Sequence, residues 1–77
     1  MADAAGVEAV AGEIGRYLDA HPDAADTVDG VLQFWLPPTF ASVSRETVER
    51  ALDVLAARRE IVRRTHADGT VIYARQR

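Results

Sequence analysis

The feature that most constrains this chain is a change of period near its C-terminal end. Up to Arg58 the apolar residues recur every three or four positions. From Ile61 they run instead in two β-rich blocks, 61–66 and 70–75, on either side of Ala67-Asp68-Gly69. Asp-Gly between two such blocks predicts a hairpin, because a type I′ turn needs positive φ at both central residues and Asp-Gly tolerates it. Two strands in isolation are marginal in water, so the hairpin has to pack on the elements that precede it.

Those elements read as three helices. Val7, Val10, Ala11, Ile14, Tyr17 and Leu18 fall on one stripe, which predicts a helix over 7–20, stopped before Pro22. His21 then stands at a helix C-terminus, where partial positive charge suits the helix dipole. A second helix over 26–36 carries Val28, Val31, Leu32 and Trp35 on one face and ends at Pro37-Pro38. Asp26 and Asp29 form an approximate capping box at its start, and Gly30 inside it implies a close crossing by another helix. The third helix, over 44–58, has the clearest start: Ser44 as N-cap, with Val43 placed to staple onto Val48. The expected core is Val10, Ile14, Leu18, Val31, Leu32, Trp35, Val48, Leu52, Leu55, Ile61 and Ile72.

Seventy-seven residues make one domain, read as a flexible N-terminus at 1–6 and a folded unit at 7–77. With no cysteine, disulfides, thiolate catalysis and cysteine-held metal are excluded together. The acidic N-terminus is unlike a signal peptide, and no apolar run is long enough to span a membrane, so a soluble, cytoplasmic protein is expected. His21 and His66 lie on different elements, and neither a nucleophile triad nor a phosphate-loop glycine pattern is suggested. The expectation is a protein that is not an enzyme and uses no cofactor and no metal.

Charge is divided along the chain. Residues 1–38 hold seven acids against Arg16, a balance of −6, whereas residues 39–77 hold eight arginines against five acids, a balance of +3. Such asymmetry points to a polyanion-facing surface. Every basic residue is Arg, which suits phosphate and carboxylate forks, although a GC-rich genome gives the same bias. Arg58, Arg59, Arg63, Arg64, Arg75 and Arg77 gather at the root of the expected hairpin.

Helix, helix, helix, hairpin is the winged-helix order: an α+β, mainly α fold in which a three-helix bundle is closed by a two-stranded wing. The run Val43-Ser44-Arg45-Glu46-Thr47-Val48-Glu49-Arg50-Ala51-Leu52 resembles the recognition helix of bacterial winged helix-turn-helix regulators, and among them the gluconate-repressor family. Ile61-Val62-Arg63-Arg64 and Asp68-Gly69-Thr70 continue like that family's wing. The resemblance implies a transcription regulator that binds double-stranded DNA, as a possible homodimer. Ser44, Arg45 and Arg50 would face the major groove, with Arg63, Arg64 and His66 on the wing side. Three positions depart from the family pattern. Glu49 stands where the family carries Arg; the Pro37–Val43 connection is long; and Arg59 stands where Gly commonly ends the helix.

The departures open a second expectation: an adapter on the same scaffold that binds a protein partner in place of DNA. Its candidate contacts are Phe34, about 60° off the second helix's core stripe, and Phe40 in the loop beyond, or else the acidic first helix.

Overall fold

A computed structural model describes residues 2–76. Met1 and Arg77, the latter counted above in the basic cluster, lie outside the described residues. Helix α1 spans Ala2–Ala20, five residues longer at its start than the apolar stripe alone required. Ala2, Ala4 and Ala5 have high helix propensity, a local preference that the apolar stripe does not record. Strand β1, Ala25–Asp26, follows, and then helix α2, Val28–Gly30, which runs on as a π-helix over Val31–Trp35. A 3₁₀ turn at Pro38–Phe40 fills the long connection to helix α3, Arg45–Ala57. Strands β2, Ile61–Thr65, and β3, Val71–Arg75, complete the chain.

The sheet has three strands, in the order β1-β3-β2 and antiparallel throughout, where the sequence pattern suggested two. Ala25 pairs with Ala74 and Asp26 with Tyr73, so the segment after α1 caps the far edge of the hairpin. A two-residue strand leaves no alternation to detect, which is why periodicity missed it. It also moves the second helix start: Asp26 belongs to the sheet, and Thr27 is the N-cap, its Oγ1 accepting from the Gly30 N–H at 3.1 Å.

Nine of the expected core residues are buried together, joined by Ala11, Val28, Ala51 and Tyr73. Leu32 is half-buried at the core's margin, and Ile72 does not reach it. The register decides the second case. Opposed residues share a face, so pairing Arg63 with Tyr73 puts Tyr73 on the side of buried Ile61, and Ile72 points the other way with Val62 and Ala74.

Two ends of elements carry the backbone specials. Gly69 has φ +90 while Asp68 does not have positive φ, so the expected type I′ turn is not formed. Gly69 N–H donates to the His66 carbonyl at 2.9 Å and His66 N–H to the Thr70 carbonyl at 2.8 Å. This is a three-residue loop, a tight turn followed by a left-handed glycine. Hydrogen bonds from the Thr70 backbone N–H and hydroxyl hold the Asp68 carboxyl below its ordinary range and fix the turn.

At the end of α3, Arg59 adopts the left-handed conformation that Gly usually fills, with φ +63. Glu60 N–H donates to the Leu55 carbonyl at 2.9 Å and Arg59 N–H to the Ala56 carbonyl at 3.0 Å, the two bonds of a Schellman cap. A non-glycine residue there costs about 1–2 kcal/mol. Arg59→Gly is therefore expected to stabilise the domain by about 1 kcal/mol, read as a higher urea midpoint at unchanged m-value. An unchanged midpoint would mean that the cap is not strained.

Candidate functional site

Two surfaces compete for the role. The first is the outer face of α3 with the hairpin. Ser44 is used up in folding: its Oγ accepts from the Thr47 N–H at 3.1 Å and bonds the Thr47 hydroxyl at 2.9 Å. Arg45 reaches both the Asp29 carboxylate and Glu49, the latter at 3.3 Å. Arg50 bonds Glu46 at 3.2 Å, and Arg63 lies 3.8 Å from Asp53. These pairs are exposed, so each contributes little stability. Their consequence is electrostatic. Over α3 three acids, Glu46, Glu49 and Asp53, outnumber Arg45 and Arg50, and a phosphate would have to displace a carboxylate from each arginine. The helix offers no continuous positive stripe.

The hairpin root is different. Among the described residues, Arg59, Arg64 and Arg75 form no ion pair, whereas Arg58 is tied to Glu8 across the bundle at 3.2 Å. His66 is exposed where the hairpin loop begins. Of the residues assigned to a DNA surface, the fold thus brings Arg45, Arg50 and Arg63 together with acids, spends Ser44 on the helix cap and sets His66 near the Asp68 carboxylate, and among the described residues leaves Arg64 without an acidic partner.

The second surface is built by the end of α2. In a turn closed by i→i+5 bonds, the fourth residue on, and not the third, returns to the starting direction. Trp35 therefore lies under Val31 in the core, at 4% exposure, and Phe34 swings outward, at 69% exposure. Phe34 is the exposed large hydrophobic of the described residues. Leu36 leaves the helix in an extended conformation, as a residue before proline must, and Pro37 follows as a wall.

Behind Phe34 stands an aromatic stack. Tyr17 of α1 lies parallel to Trp35 with ring centroids 4.9 Å apart, and His21 stacks on Tyr17 at 4.3 Å. The His21 Nδ1 is 3.1 Å from the Tyr17 carbonyl oxygen, which fixes the imidazole at the helix end. Phe34, Pro37 and this stack border a shallow groove of about 320 Å³ that reaches Glu13, Arg16 and Ala20 on α1. Leu36 and Pro37 separate it from a second groove of about 370 Å³, lined by Leu32, Phe40 and Val43 among others. Phe40 does not share the position of Phe34. It sits in the 3₁₀ turn, partly buried against the core, and its covering role removes it from the exposed patch.

Sequence spacing identified Phe34 but not Tyr17 and His21 beside it. Their i, i+4 spacing on α1 was the available signal, since residues four apart on a helix meet on one face. Compared with known proteins, the chain matches no family model, no curated protein and no solved structure.

Proposed function

We propose that the chain is a winged-helix domain that acts as a non-catalytic protein-interaction module, receiving a protein partner at Phe34 and the groove beside it. The element order α1-β1-α2-α3-β2-β3 and the sheet order β1-β3-β2 support the winged-helix reading. The observation that carries the functional reading is Phe34. A large aromatic ring at 69% exposure, held outward by a π-helix and flanked by an apolar groove, is what a partner buries as an anchor. The carboxylates on Arg45, Arg50 and Arg63 speak against α3 as a reading helix.

A DNA-binding reading keeps one specific observation: among the described residues, Arg59, Arg64 and Arg75 at the hairpin root form no ion pair. Two measurements separate the readings. A photo-crosslinking residue in place of Phe34 is expected to give a protein adduct in cells, and the same residue in place of Asp53 is not. No adduct at position 34 removes the interaction reading. Titration of labelled duplex across a salt series is expected to give no affinity better than about 10 micromolar, with no gain on Glu49→Arg. Tighter binding would put DNA in place of protein. In that case Arg63→Ala and Arg64→Ala should each flatten the slope of log affinity against log salt by about one unit.

A further inference from the structure

We infer that the cleft where α1, the end of α3 and the hairpin root meet binds a free α-amino acid with an aliphatic side chain. The site goes beyond the protein-interaction reading and is independent of it. It shares no lining residue with the groove at Phe34, so either reading can fail without the other.

Size and floor come first. The cleft holds about 250 Å³. Pockets for drug-sized molecules start at about 300 Å³, so this one suits something smaller. Leu18, Leu55 and Ile61 form its floor, and all three belong to the core. An aliphatic chain laid on that floor leaves water, which is favourable.

Charge selects the ligand. Arg59 and Arg75 line the cleft, and so do Asp19 and Glu60. Among the described residues none of these side chains is in an ion pair, whereas Arg16, Arg45, Arg50, Arg58 and Arg63 each reach a carboxylate. A simple anion drawn to the arginines would also meet the two acids, and a simple cation would also meet the two arginines. A molecule that carries a carboxylate and an ammonium together satisfies both pairs, the carboxylate on a guanidinium fork and the ammonium on a carboxylate. With an aliphatic side chain for the floor, that molecule is an aliphatic amino acid.

The fold also gives up stability at this cleft in two places. Arg59 lines it from the left-handed conformation, φ +63, which glycine would adopt more easily. Residues held in such conformations gather where ligands bind. Gly15 lines it from inside α1, where alanine is the better helix former. Nothing lies within 4 Å of the place its Cβ would occupy, so a side chain there would take up room that the cleft keeps open.

A nuclear magnetic resonance titration of the full, isotope-labelled chain with L-leucine tests this. The expected result is saturable shifts at the amides of Gly15, Arg59 and Glu60, with a dissociation constant of about 1 millimolar or tighter, as befits a ligand of few atoms. Isocaproate lacks the ammonium and isoamylamine lacks the carboxylate, and each should bind about tenfold or more weakly. Arg59→Gly and Gly15→Ala should both raise the urea midpoint of the free chain and both weaken leucine binding by about tenfold, the first by losing a guanidinium and the second by filling the cleft. A gain in stability that accompanies a loss of binding cannot come from a damaged fold. Gly12→Ala is the control: its Cβ also enters open space, but Gly12 does not line the cleft, so the midpoint should rise and the affinity stay as it was. No saturable shift up to about 10 millimolar L-leucine overturns the inference. So does equal binding of either half-molecule, or binding that either Arg59→Gly or Gly15→Ala leaves unchanged. A loss at Gly12→Ala as large as that at Gly15→Ala overturns it too.

Discussion

Trp35→Ala is expected to remove about 3–5 kcal/mol of stability, and Phe34→Ala, one residue earlier, less than about 0.5 kcal/mol. Trp35 is 4% exposed, stacks on Tyr17 and lies in the same cluster as Val31, Ile14 and Leu52. Its truncation leaves a cavity that neighbours on three elements cannot close together. A domain of this length has a total stability of order 4–12 kcal/mol, so this variant should lose a large share of it. Phe34 loses little, because most of its ring faces water. Urea unfolding followed by far-ultraviolet circular dichroism suits both variants, since Trp35 is the chain's one tryptophan and its fluorescence is lost in the first. Comparable losses at the two positions would contradict the outward turn of Phe34, and with it the surface on which the proposed function depends.

Gly30→Ala is expected to destabilise the domain by about 1–3 kcal/mol, although alanine at a helical position normally gains about 1 kcal/mol over glycine. The space that would hold the new methyl group is filled by the Asp26 carboxyl group. That carboxylate accepts from the Thr27 N–H at 2.8 Å, and its backbone is held in the sheet opposite Tyr73, so it has little freedom to withdraw. In an Asp26→Ala background the obstacle is gone, and Gly30→Ala should then raise the unfolding midpoint. A change of sign between the two backgrounds is a coupling that a double-mutant cycle measures directly. Equal effects in both would show that the glycine is needed for another reason. The sequence pattern required a close approach at Gly30 and pointed to another helix. The side chain four residues earlier makes the approach, at the corner where β1 passes into α2.

Much of the candidate site was legible before the fold. Phe34 could be placed off the core stripe by counting residues, and the acids among the arginines of α3 were visible as Arg45/Glu49 and Glu46/Arg50, each four apart on one helix. The division of charge between the halves was equally plain, but its meaning was not. Part of it is internal: Glu8 of the acidic half takes Arg58 of the basic half, and Asp29 takes Arg45. What read as a basic surface awaiting a polyanion is in these places one half of the chain neutralising the other across the bundle.

The sequence by itself determined the order of the three helical segments and the hairpin, the three helical stripes, the Ser44 cap and the position of the hairpin loop. Each of these is written in local periodicity or in the conformational preference of one or two residues. Tertiary structure decided what depends on residues distant in the chain. It added β1 to the sheet, because two residues form a strand only when a partner edge is already present. It set the register that buries Tyr73 in place of Ile72, since a period of two fixes only that one of two neighbours points inward. It held Arg59 in the left-handed region, where the two cap hydrogen bonds that turn α3 into β2 form against the residue's own preference. Last, it aligned Phe34 with Tyr17 and His21 at the mouth of one groove, because the approach of α1 to the π-helix is settled only by the core that both of them bury.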